Sequence, residues 1–455
     1  MLLNFIWGFL PATYLFLVAL SKFKINFLLG YFENSYFISI SILLSFSYLL
    51  YHGIKSFRYK PKYDTFSIFF LLIMLFPVIW NGPFFQPPSD PLFHAELLWD
   101  SFSDTGFNIA NRDFIGKNIF KFFYSIFTPT TLKERVFILH GLHGLSAILM
   151  GLSVYFSSRI YGLPPRWAFF SVIIMLGFFG TDRFSFLGYY SLAPASLNFA
   201  FTWLLFALLF KKVSSREKVF KKYFIQILIL FFYTFLLIPV LAYNHYQEVV
   251  FLCFGLFFLF FVFLYKNLGI WKNAKYYFYT LFFSICFFPI AFLQKYKISI
   301  PRLNEWGEID YFFQGLYSYY KTPWIFFRVS APRIWDTLGL MGIIPIFIFL
   351  ILLIELLVFK SKRNFFYKLR FVIPGILPFW IYLIPINLFV WLSIMPYSGE
   401  VFWRATYMSQ YWITIAFLFY QMEKWIYFRF SKRNVFLFKK VIHVFKIKNL
   451  SKNES

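Results

Sequence analysis

Long apolar runs recur from one end of this chain to the other, for example at 65–80, 136–156, 223–243, 337–359 and 370–392. None shows the strict apolar/polar alternation of a strand with one wet face, so a transmembrane barrel is a poor fit. Inside hydrocarbon each backbone N–H and C=O has to be paired within its own segment, and about 20 helical residues match a core of about 30 Å. The pattern therefore predicts an all-α polytopic membrane protein of about 12 transmembrane helices. They are placed near 3–20, 36–51, 65–80, 136–156, 167–180, 193–210, 223–243, 247–265, 276–294, 337–359, 370–392 and 408–423. Two long connections remain, 81–135 and 295–336, and both are expected to be extracytoplasmic loops carrying short surface helices. Residues 1–423 form one membrane domain in this reading, and 424–455 a basic cytoplasmic tail. The first apolar stretch has no basic residues before it and no small-residue cleavage site after it, so it reads as a retained span.

The polar residues between the runs set the expected orientation. With the N-terminus inside, 29 of the 44 Lys and Arg residues fall on the cytoplasmic side, including Lys211, Lys212, Arg216, Lys218, Lys221 and Lys222 in one short connection. Of the 19 acidic residues, 14 fall on the other side. Both termini are then cytoplasmic, and the expected location is the inner (plasma) membrane, crossed many times.

Composition sharpens this picture. The 455 residues are 60% hydrophobic and 14% charged, too little polar surface for a soluble domain of this size. The net charge of +25 would suggest nucleic acid in a soluble protein; here it follows from the basic inner loops, and no nucleic-acid partner is expected. Aromatic residues make up 26% of the chain and are mostly Phe, which read as lipid-facing filler. Cys253 and Cys286 both lie in apolar runs without metal-ligand spacing.

Candidate chemistry collects at the outer ends of the predicted helices, in four places. In the first loop, Asp90 precedes Pro91 as an N-cap would, His94 lies four residues on, and Glu96, Asp100 and Asp104 form an acidic stripe. A capped, solvated surface helix would look the same; the functional alternative makes Asp90 a base or metal ligand at the membrane surface. Thr181-Asp182-Arg183 forms a second cluster, readable as a local ion pair. Asn244-His245-Tyr246-Gln247-Glu248 is a third, richer in His, Gln and Glu than a tight turn requires. Arg328, Arg333 and Asp336, with Glu400 and Arg404, make the fourth. Arg404 either snorkels to headgroups or meets a lipid-linked phosphate, whose oxygens match a guanidinium fork. Phosphate-cradling loops and zinc-hydrolase or serine-hydrolase motifs are absent from the sequence.

Asp90-Pro91-Leu92-Phe93-His94 resembles the Asp-Pro-x-x-His/Asn element in the first outer loop of oligosaccharyltransferase catalytic subunits. More broadly it resembles the acidic first-loop motif of the C-type (GT-C) membrane glycosyltransferases, which use polyprenyl-phosphate-linked sugar donors on the non-cytoplasmic face. The resemblance covers 81–104 and implies the following expectations. Asp90 would be the catalytic acid, with Glu96 as alternate. Asp182 and the His245/Glu248 turn would complete the acceptor or metal side (a divalent Mg or Mn), His94 would orient Asp90 or bind phosphate, and Arg183 would be a further substrate-binding residue. Arg404, with Arg328 and Arg333, would meet the donor phosphate, and a glycan, lipid or protein would be the acceptor. The match departs in three ways: two extra spans precede the loop, the Trp-Trp-Asp element is missing, and only the basic tail follows the last span. Peptide glycosylation is thereby disfavoured. An O-antigen polymerase or ligase type of enzyme leaning on Arg302, Arg328 and Arg333 is the alternative, as is a transporter or flippase of lipid-linked sugars.

Overall fold

The computed structural model describes residues 5–22, 34–81, 114–178, 194–214, 224–245, 248–249, 251–256, 258–259, 342–358, 362–383 and 407–429. Among them every regular element is helical. A π-turn at Phe5–Phe9 leads into α1 (Leu10–Lys22), followed by α2 (Ser35–Lys55), α3 (Pro61–Asn81), α4 (Phe114–Phe127) and α5 (Leu132–Tyr161). Then come α6 (Pro165–Phe178), α7 (Pro194–Val213), α8 (Phe224–Asn244), α9 (Gly342–Val358), α10 (Lys362–Leu383) and α11 (411–429). Helical residues between 248 and 259 follow α8 closely. Among the described residues, four helices (α2, α5, α7 without its first residue, and α8) are long and apolar enough to cross a membrane. This is a helical membrane protein.

The axis of the bundle is α5. Its 30 residues span about 45 Å at 1.5 Å per residue, well beyond a bilayer's hydrocarbon core. Thr131 caps it: its hydroxyl accepts from the Glu134 N–H at 3.3 Å, and the Glu134 carboxylate accepts from the Thr131 N–H at 3.0 Å. Gly162 stops it in the left-handed region at φ +110°, its N–H returning to Ser158 and Arg159. One face of α5 is small and polar where it meets α7, with Ser153 donating to the Ala200 carbonyl at 2.5 Å and Ser157 to the Trp203 carbonyl at 3.3 Å. The paired numbers rise together, so α5 and α7 run parallel. Small hydroxyl residues suit this seam, because apolar side chains gain nothing by leaving lipid for protein, whereas close backbones and bonded hydroxyls do.

The remaining helices alternate in direction. Gly53 of α2 packs on Phe156 and Ile160 of α5 and on Leu204, and Lys212 at the end of α7 donates to Gln226 at the start of α8. Arg166, at the start of α6, pairs with Glu423 of α11. The connections near 55–62 and 159–166, the end of α7, and the starts of α8 and α10 thus meet at one end of the bundle, called here the basic end. The beginnings of α2 and α7 and the end of α8 meet at the opposite end.

Several expected boundaries change. Helix α10 begins at Lys362, so most of the segment read as the connection Lys360–Arg370 is helical. Helix α11 begins at 411 and continues to 429, so the first residues assigned to the basic tail belong to the last helix. The segment 81–135 contains α4, whose Phe114, Ile115, Ile119 and Phe120 are buried, and the first residues of α5. The span near 276–294 and the loop 295–336 lie outside the described residues.

Prolines explain how α10 and α11 join. Pro378 has no N–H to give to the Pro374 carbonyl, and the Gln410 N–H occupies that carbonyl instead, at 3.0 Å. Ser409 donates to the Gly375 carbonyl at 2.6 Å and Thr414 to the Phe371 carbonyl at 2.9 Å. The start of α11 is therefore held within the protein by a proline-interrupted partner, with Ser409, Gln410 and Thr414 all buried.

Candidate functional site

The sequence-derived site residues fall into two groups. Asp90, Glu96, His94, Asp182, Arg183, Arg328, Arg333 and Arg404 lie outside the described residues. His245 and Glu248 are described, and they are in contact: His245 Nδ1 and Glu248 Oε2 are 2.5 Å apart. Glu248 is 5% exposed, and the His245 side chain is more open, at 22%.

Three helix ends hold this pair. Pro194 starts α7 with a preset φ and no N–H to lose, and Asn198, one turn on, is fully buried. Its amide donates to the carbonyls of Leu241, at 2.9 Å, and His245, at 2.5 Å. Its oxygen accepts from the Asn244 amide at 3.0 Å. The Asn244 oxygen in turn accepts from the backbone N–H of Ile115 at 2.7 Å. Asn118 closes the first turn of α4 by donating to Phe114 O at 2.7 Å, and the Phe114 ring meets Tyr243 at 5.1 Å. Asn198 adds a second donor to the Leu241 carbonyl, which also accepts the His245 N–H at 2.8 Å, and Asn244 gives the Ile115 N–H the acceptor that the first turn of a helix lacks. Asn244 and the His245 carbonyl are thus tied into the surrounding helix ends, next to the contacting imidazole and carboxylate.

Chemically, an imidazole on a carboxylate can hold or pass a proton. The two side chains also supply a nitrogen and an oxygen donor to a divalent ion. Among the described residues no group of three or more His, Cys, Asp and Glu comes together as a metal would require.

The structure also holds a polar centre that the sequence reading passed over. At the basic end, the carboxylate of Asp64 in α3 is fully buried. Its Oδ1 accepts from Arg159 Nε at 2.6 Å and from the Tyr155 hydroxyl at 2.7 Å. Its Oδ2 accepts from Lys60 N–H at 2.6 Å and from Arg159 Nη2 at 3.1 Å. Arg159 also donates to the Leu163 carbonyl at 2.5 Å and the Arg58 carbonyl at 3.0 Å, and it stacks on Phe57 at 4.6 Å. Every hydrogen-bonding nitrogen of the guanidinium is engaged, tying two interhelical turns to two helices. The signal was present: Asp64 is an acid within a boundary rich in Lys and Arg, where charge segregation would place none.

No protein-family model, no curated protein and no solved structure matches this chain.

Proposed function

We propose that this chain is a membrane glycosyltransferase of the C type, transferring a sugar from a polyprenyl-phosphate donor to an acceptor on the non-cytoplasmic face. One observation carries the reading. The loop that bears Asp90, His94 and Glu96 ends in α4, and the first turn of α4 is held by Asn244, beside the His245–Glu248 pair. The described end of that loop, the start of α4, lies beside the ionisable turn, which supports a site shared by the acidic loop and the turn. Asp90 would take the proton from the acceptor hydroxyl as its oxygen attacks the anomeric carbon and the lipid phosphate leaves. Arg404, with Arg328 and Arg333, would stabilise the departing phosphate. Glu248, steadied by His245, would orient the acceptor or complete a Mg or Mn site.

The test is to delete the gene, profile the surface glycans, and complement with wild type, Asp90→Asn and Glu248→Gln. A glycan lacking one sugar is expected, restored by wild type but not by inserted, correctly sized Asp90→Asn. Full restoration by Asp90→Asn would remove the assignment.

A transporter or flippase of lipid-linked sugars is the second reading, favoured by the α10–α11 junction. Interrupted helices that begin inside a bundle are a feature of substrate pathways, and a cavity of about 30 Å³ lined by Thr202, Pro374, Pro378 and Gln410 lies there. In reconstituted vesicles, movement of a labelled polyprenyl-phosphate sugar that is lost in Gln410→Leu but kept in Asp90→Asn would select this reading.

A further inference from the structure

At the basic end a second cationic group differs from Asp64–Arg159 in having no acid beside it among the described residues. Arg370 of α10 lies with its guanidinium carbon 4.2 Å from the Tyr367 ring centre and 4.6 Å from that of Phe371. Its Nε–H is buried without a hydrogen-bond acceptor. The outer guanidinium nitrogens rest against the backbone of Gly162, where an added Cβ would come within 2.8 Å of Nη2. The Tyr161 and Phe210 rings lie 5.6 Å apart, which brings Lys211, the residue after Phe210, to the side of the bundle where the Arg370 guanidinium rests on Gly162. Both cations are half-buried, and among the described residues no carboxylate stands beside either. Two like charges held together between helices, partly out of water, raise each other's energy unless an anion sits between them.

We propose that the Arg370–Lys211 niche binds the phosphate of an anionic phospholipid from the bilayer leaflet at the basic end. The chemistry fits a phosphodiester: a planar guanidinium, held flat by two rings, offers paired donors to phosphate oxygens, and the ammonium supplies a point charge. Gly162 serves the niche as well as the helix stop, since any side chain there would displace the guanidinium. The position, where an apolar membrane helix ends in Lys211, is that of lipid headgroups, and basic pockets between helices at this level bind anionic lipids. The proposal stands independently of sugar transfer, which concerns the opposite end.

The test uses the full-length protein in neutral detergent, titrated separately with phosphatidylglycerol, phosphatidylcholine and inorganic phosphate. Binding is read by lipid retained in native mass spectra and by thermal shift. Phosphatidylglycerol is expected to bind in preference to phosphatidylcholine. Lys211→Gln/Arg370→Gln should weaken that binding roughly 10- to 30-fold, whereas Lys60→Gln/Lys62→Gln, with the same charge loss among exposed residues, should change it less than about 2-fold. If the double variant does not fold, Arg370→Lys carries the test: it keeps the charge, loses the fork and should bind about 3- to 5-fold more weakly. Equal losses in both double variants, no preference between the two lipids, or unchanged binding by Arg370→Lys would overturn the proposal. So would inorganic phosphate alone reproducing the stabilisation and displacing the lipid, which would make this a free-anion site.

Discussion

Replacing Asp64 by Asn keeps the size of the side chain and removes its charge. The arginine it faces is 7% exposed and the carboxylate itself fully buried, so water cannot replace the lost partner. Arg159 Nε, the Tyr155 hydroxyl and the Lys60 N–H all converge on the two carboxylate oxygens, and an amide, with one oxygen and two donors of its own, cannot accept them all. Leaving a buried guanidinium uncompensated costs about 3–5 kcal/mol, which already contains the individual hydrogen bonds and is not to be added to them. Removing both charges is a different matter: Asp64→Leu/Arg159→Met avoids the desolvation of two ions and should lie within about 1–2 kcal/mol of wild type. The assay is equilibrium unfolding in mixed micelles of wild type, Asp64→Leu, Arg159→Met and the double variant. With each single substitution leaving an uncompensated buried charge at about 3–5 kcal/mol, a coupling energy of at least about 4 kcal/mol is expected. If the two single substitutions add to the double, the pair is not coupled and the reasoning from burial fails.

Three further perturbations follow from other contacts. Asn244→Leu removes the acceptor of the Ile115 N–H and the partner of the Asn198 oxygen; it should cost about 2–3 kcal/mol and speed hydrogen exchange at Ile115. Gly375→Ala would press a methyl to 2.7 Å from the Pro345 ring, costing about 1–3 kcal/mol in thermal unfolding, whereas Gly141→Ala, with nothing within 4 Å, should be neutral or stabilise by up to about 1 kcal/mol. Pro378→Ala, ordinarily favourable in a helix, is expected to destabilise by about 1 kcal/mol, because residue 378 would regain an N–H competing with Gln410 for the Pro374 carbonyl. A higher unfolding midpoint for Pro378→Ala would show that the junction does not depend on that bond.

The helices were legible because hydrophobic length is a local property: α2, α3, α5, α6, α7 and α8 all overlap the spans read from apolar runs. What could not be read was depth and partner. Lys362–Arg370 is locally polar, and only its packing on Gly162 and its continuity with an apolar stretch make it part of α10. Asp64 and Arg159 are 95 residues apart, and each alone looks like an ordinary charge at a helix boundary. At the 244–248 turn the surplus of polar groups was visible, but its division of labour was not. Asn244 and Asn198 bond the ends of α8 and α4, and His245 and Glu248 form the ionisable pair beside them.

That division gives a physical criterion for reading the rest of the molecule. A polar side chain whose donors and acceptors are filled by its own protein cannot take on a ligand without first breaking a bond. Asp64 and Arg159 meet that description, as does Asn198, whose amide hydrogens and oxygen all have partners; these are structural even though they are buried and polar. Among the described residues Arg370 has a buried donor with no acceptor and Lys211 no carboxylate beside it, while Glu248 holds a carboxylate in contact with the His245 imidazole. Buried polarity in a membrane protein is costly wherever it occurs. It points to a ligand only where binding capacity is left over, and here the leftover capacity is cationic at one end of the bundle and acid–base at the other.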